Sequence, residues 1–140
     1  MTDKERRFVL PLAELIDRLT VDQIKEVLLE DGRASYADEM ARLSHDMDLI
    51  IDEKSLGLSA RLLRIVIALA QLNVHIWYHK DRMQEEPAHY DEHLRLAHQL
   101  NGIRNRLKNL LLEETGDRQK AAERSNFNTD GLQGWEISIE

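Results

Sequence analysis

The chain has 140 residues, a length that makes one domain with a core of its own. It contains no cysteine, which excludes a disulfide framework, a thiolate metal site and a cysteine nucleophile. The formal charge of −7 argues against DNA and anionic membranes as partners, because phosphate contacts need clustered Lys and Arg.

Charged residues make up 32% of the chain, yet it holds only six Gly and two Pro, the balance of helices that each wet one face. Residues 1–7 are charged and without an apolar leader, so we expect a frayed start and an interior, bacterial cytoplasmic location. Pro11 suits a first helical turn. From there Leu12, Leu15, Ile16, Leu19, Ile24, Val27 and Leu28 trace one face of a helix to about Glu30, with Thr20 as an alternative restart point. Gly32 is the expected left-handed cap.

Ser35 and Asp38 resemble a capping box opening a second helix, whose apolar face is Tyr36, Met40, Leu43, Met47, Ile50 and Ile51. The turn over 53–58 contains Gly57, expected at positive φ. Ser59 caps the third and longest helix. Along it Leu62, Ile65, Leu69, Leu72, Ile76, His79 and Met83 recur at steps of three and four, the seam of a packed helix. Leu63, Val66, Ile67, Ala68, Ala70 and Val74 add apolar groups off that seam, so we expect this to be the central helix. Arg61, Arg64, Gln71, Asn73 and His75 break up the apolar run that a membrane span requires.

Pro87 stops the third helix. A fourth starts at Tyr90 or Asp91 and carries Leu96, Leu100, Ile103, Leu107 and Leu110, ending at Thr115-Gly116. Residues 118–124 could add a short polar helix. Residues 125–140 read as an irregular tail with a mobile end, although Trp135-Glu-Ile-Ser-Ile alternates like a strand that docks. The expected fold is thus all-α: a four-helix, mostly antiparallel bundle over 1–124 with a long central third helix and a C-terminal tail over 125–140.

Polar residues beside the seams come next. Antiparallel packing of the third and fourth helices brings Asn73, Trp77 and Asp81 towards Asn101, Arg104 and Asn105. Such a cluster is either a buried network that fixes helix register or a pocket for a small anionic ligand. His75 and His79 stand one turn apart, and a bundle that also gathered His45 and Asp48 would form a carboxylate–histidine metal centre. The Glu-x-x-His pairs of ferritin-like sites are missing, and neither a metal nor a cofactor is called for. The acidic second helix invites comparison with all-α nucleotide pyrophosphohydrolases, but lacks their Glu-x-x-Glu and Glu-x-x-Asp pair in register.

Arg104-Asn105-x-x-x-Asn109 resembles the Arg-Asn-x-x-x-His signature of HEPN helical-bundle domains, many of them ribonucleases or toxin partners. Asn109 stands where that family has its histidine, and an amide is no general acid or base. The resemblance therefore implies a non-catalytic or phosphate-binding remnant at Arg104 and Asn105. Leu72-Asn73-x-x-Ile76-Trp77 followed by Leu100-Asn101-x-x-Arg104-Asn105 resembles small all-α bacterial domains of unknown function, which implies an Asn–Trp–Arg network and no activity.

The leading functional expectation is a non-enzymatic bundle that forms a homodimer and binds a partner protein, because the third helix is apolar on more faces than a small bundle covers. Trp77, Tyr78, Met83 and Tyr90 are the expected interface residues. The alternative is binding or hydrolysis of a nucleotide or phosphorylated small molecule at the Asn73–Arg104 cluster, or a degenerate HEPN-like domain.

Overall fold

A computed structural model of the protein describes residues 3–117 and 137–139. Among the described residues there are four α-helices, α1 (Leu12–Leu28), α2 (Arg33–Glu53), α3 (Ala60–Glu85) and α4 (Tyr90–Glu114), with one turn of 3₁₀ helix, Pro87–His89, before α4. No strand occurs among the described residues. The expected all-α helical bundle is what folds.

The helix ends follow local chemistry. Ser59 Oγ accepts from the Leu62 N–H at 3.1 Å, capping α3 as its sequence position suggested. Gly32 does take a left-handed φ of 85°, but it serves as the N-cap of α2, which begins at Arg33 rather than at the Ser35 capping box. Gly57 is not at positive φ. Ser55, with φ of 51°, makes the turn between α2 and α3 instead. Gly116, with φ of 79°, lies just beyond α4. Thr20 does not restart α1: its hydroxyl donates back to the Asp17 carbonyl at 2.7 Å and the helix runs through.

Two antiparallel hairpins, α1–α2 and α3–α4, carry most of the packing, and α1 also lies against both α3 and α4. Side-chain pairs give the directions. Asp17 of α1 meets Asn73 of α3 and Arg104 of α4. Glu14 meets Lys108, so α1 runs antiparallel to α4. Arg61 at the start of α3 donates to Glu114 at the end of α4 at 2.6 Å.

The helix that touches all three others is therefore α1, not the longer α3. Its buried residues Leu12, Ala13, Leu15, Ile16, Asp17, Asp22 and Ile24 cover well over half of its circumference. In contrast, α2 packs on α1 alone among the helices. The core joins Leu12, Leu15 and Ile16 to Leu43, Ile50, Ile65, Leu69, Leu72, Leu100, Leu107 and Leu111. Each such side chain contributes about 1.5–3 kcal/mol by leaving water.

Residues 6–8 and 137–139 are fastened to this core. The buried Asp46 carboxylate of α2 accepts from the backbone N–H of Arg7 at 2.8 Å and of Phe8 at 2.7 Å, and from Arg6 Nε at 3.3 Å. Burial pushes the Asp46 carboxyl up, but those hydrogen bonds and the Arg6 charge outweigh it and hold it below its ordinary range. The Arg18 and Arg42 guanidinium groups both lie over the Phe8 ring, 5.9 and 5.7 Å from its centroid. The segment expected to fray is thus pinned from Arg6 onward, because a charged stretch can be held when a buried acid takes up its N–H groups.

At the other end Ile139 is buried in the core and Ile137 packs against it. Arg64 donates to Ser138 Oγ at 3.0 Å and Arg106 to the Ile139 carbonyl at 2.9 Å. The end of the expected tail is therefore docked on the bundle. Trp135 and residues 118–124 lie outside the described residues.

Asp46→Ala leaves the Arg7 and Phe8 N–H groups without their acceptor and should cost about 2–3 kcal/mol in urea unfolding. An unchanged midpoint would show that the N-terminal strap contributes nothing.

Candidate functional site

The polar cluster expected between α3 and α4 is organised by a third helix. Asp17 of α1 is buried, and its Oδ1 accepts from Asn73 Nδ2 at 2.9 Å and from Arg104 Nε at 3.3 Å. A second Arg104 nitrogen pairs with Oδ2, making the fork that suits a carboxylate. Lys108 Nζ lies 3.8 Å from the same Oδ2 and 2.9 Å from Glu14 Oε1. Asn73 also donates to Thr20 Oγ1 at 2.8 Å. A buried carboxylate without partners would cost several kcal/mol, and here three donor groups offset that cost.

Of the six residues predicted for this cluster, Asn73 and Arg104 meet through Asp17 of α1, a residue outside the expected set. Trp77 and Asn105 are half-buried, and Asp81 is exposed. Asn101 lines a separate groove of about 350 Å³ with Lys80, Met83, Tyr90 and His98, at the far end of the α3–α4 hairpin. The signal for Asp17 was available: Ala13, Asp17, Thr20 and Ile24 stand at steps of four, three and four, a second seam on α1 with an acid in it.

The proposed gathering of His45, Asp48, His75 and His79 does not form. Helices α2 and α3 do not pack together, and His45 Nε2 instead donates to the Glu5 carbonyl at 2.9 Å. Among the described residues no group of three or more His, Asp or Glu is placed to hold a metal ion.

Histidines instead fasten α3 to the start of α4. His79 is buried and donates from Nε2 to the His93 carbonyl at 2.7 Å, with the two rings 4.7 Å apart. His93 Nε2 in turn donates to Glu86 at 3.0 Å, a bond that lowers the Glu86 carboxyl below its usual range. Burial first, then His79 and Arg82, lowers the His75 imidazole.

A second acid pair joins α1 to α2. Asp22 is buried with its Oδ2 lacking a hydrogen-bond partner, and Glu39 faces it. Burial, then the hydrogen bond and negative charge of Glu39, push Asp22 up to about 6, against the opposing charges of Lys25 and Arg18. The folded protein therefore keeps this proton up to about pH 6, whereas the unfolded chain loses it near 3.8. Stability from this group falls as pH rises through that window.

The remaining candidate surface is the outer side of α3. Leu63 is 44% exposed, Ile67 63%, Val74 37% and Tyr78 50%. At about 100° per residue these four and Ala70 lie within an arc of about 80°. That arc is opposite the buried Ile65, Leu69, Leu72 and Ile76. Helix α3 thus has two apolar faces, of which the bundle covers one. Part of it also has the mean hydropathy of a membrane helix, 1.2 over 18 residues, with at most two charged side chains. In this fold its Asn73 face is bonded to α1.

Of the expected interface residues, Tyr78 belongs to the outer face and Tyr90 is exposed at the hairpin end, whereas Trp77 and Met83 are half-buried. Leu63, Ile67 and Val74 stood out in sequence as apolar but off the seam, and the structure makes them the most contiguous exposed apolar group on α3. Comparison with protein-family models, curated proteins and solved structures returned no match for this chain.

Two outcomes follow from the acids. Asp17→Ala should cost about 3–5 kcal/mol, because Arg104, Asn73 and Lys108 lose a common acceptor. Arg104→Met should cost less, about 1–2 kcal/mol, since Asn73 and Lys108 still face Asp17. Equal losses in denaturant titrations would contradict the hub assignment. Asp22→Asn should stabilise the protein above pH 6 by on the order of 1–2 kcal/mol and give no advantage at pH 4. A pH-independent difference would mean that Asp22 holds no extra proton.

Proposed function

We propose that this protein is a non-enzymatic helical module that works by burying the outer face of α3 against another protein surface, first of all its own. One observation carries the reading: a row of large apolar side chains, Leu63, Ile67, Val74 and Tyr78, lies exposed opposite the core face of the same helix. Scattered exposed apolar groups are ordinary, but a contiguous row flanked by polar residues marks an interaction surface. Arg64, Gln71, His75 and Arg82 border this row on one side.

The ligand reading has weaker support. Asn73 and Arg104, its main polar groups, are engaged with Asp17 inside the bundle, so they have no free geometry to offer a phosphate. The same engagement weighs against a HEPN-like phosphate site at Arg104. A membrane is also less favoured than a protein surface. The exposed row from Leu63 to Tyr78 spans about 22 Å on one side only, while the opposite side of α3 is committed to α1 and α4.

Light scattering coupled to gel filtration checks this directly. One chain has a mass of 16.3 kDa, and the expected species at micromolar concentration has twice that mass. Ile67→Lys should return the mass to a single chain and leave the helical circular dichroism unchanged. A single-chain mass at every concentration would overturn self-association, and co-flotation of the protein with neutral lipid vesicles would point to a membrane instead.

A further inference from the structure

The outer face of α3 has a symmetry that names its occupant. Leu63 and Tyr78, Ile67 and Val74, and Ala70 and Gln71 are each equidistant from a midpoint between residues 70 and 71. Reversing the helix about that midpoint lays the four large apolar side chains onto one another, with Ala70 falling opposite the bordering Gln71. A two-fold axis there sets Leu63 of one copy against Tyr78 of the other and Ile67 against Val74. The small Ala70 stands at the crossing, where the two backbones come closest. An isologous interface requires this kind of self-match, in which residue i meets j and j meets i.

From this we infer that the occupant is a second copy of the chain, paired through α3 in an antiparallel two-fold with its axis beside Ala70. This inference rests on the self-association reading and adds its register. Charge at the end of the row selects the direction. Asp81 continues the apolar row at its C-terminal end, and exposed Glu85 lies one turn beyond. A parallel pair would set Asp81 against Asp81, whereas the antiparallel pair sets it against Ala60. Antiparallel helices also align their dipoles favourably.

Beside Leu63, an apolar recess of about 190 Å³ opens among Leu58, Leu62, Leu63 and Val66 and reaches Ile16 and Ile51. In this register the aromatic pair Trp77 and Tyr78 of the second copy arrives next to that recess, and each copy supplies both the recess and the aromatics. The chain's own residues 118–136 make a poor rival occupant. Their only large apolar side chains are Phe127, Leu132 and Trp135, fewer than the four of the row.

The absence of native cysteine makes the register directly testable by single-cysteine cross-linking of the full chain under mild oxidation. A disulfide needs Cα atoms within about 7 Å. Ala70→Cys, beside the axis, should convert most of the chain to a covalent dimer. Leu63→Cys alone should not, because its copies lie about 22 Å apart along the antiparallel seam. Mixing the Ile67→Cys and Val74→Cys chains should give a cross-linked heterodimer that neither gives alone.

The outcomes separate the two proposals. A wild-type mass of one chain overturns self-association and the seam together. A two-chain mass with Leu63→Cys joined to itself shows a parallel pair and overturns the register alone. A two-chain mass with no cross-link through Ala70→Cys places the interface elsewhere, and it too overturns the seam while leaving self-association standing.

Discussion

The arrangement of this molecule depends on one buried carboxylate. Asp17 collects Asn73 from α3 and Arg104 and Lys108 from α4, and so fixes both the height and the rotation of α1 in the groove between them. The apolar core supplies the larger part of the stability, at about 1.5–3 kcal/mol for each buried Leu or Ile. Leucines can slide past one another at little cost, whereas a buried acid tolerates only the register that brings its donors within reach. The network therefore selects one packing among several that would bury similar apolar area.

That selection has a consequence on the far side of α3. Because Asn73 must face Asp17, the face that carries Ile65, Leu69, Leu72 and Ile76 turns inward and the row Leu63, Ile67, Val74 and Tyr78 turns outward. With α2 lodged against α1 alone, no other helix among the described residues covers the outward row. Exposure of that row thus follows from the internal network, and the same polar residues that first suggest a ligand site are what turn an apolar row towards solvent.

Much of the fold was legible in the chain, for identifiable reasons. Ser59, Pro87 and Gly116 punctuate helices by local backbone chemistry that tertiary contacts did not override, and the seam on α3 had the correct period. The failures share a cause too. The segment around Arg7 reads as frayed because it is charged, yet it is held by a partner far away in sequence, Asp46 at 39 residues, just as Asp17 is held by Asn73 at 56. Periodicity reports which face a residue occupies but not what it meets there. Likewise α3 was judged central from its apolar content, when that excess marks a second face looking outward. The helix that actually touches the others, α1, owes its position to acids as well as to leucines.

The central claim, that the outer row of α3 is hidden from water in the working protein, is tested most directly by hydroxyl-radical footprinting across a dilution series. At high concentration Ile67 and Tyr78 should each react far more slowly than the same residue in the diluted protein, with the rate of the fully exposed Val9 constant throughout. Rates for Ile67 and Tyr78 that match their exposure in a lone chain at every concentration would contradict the account.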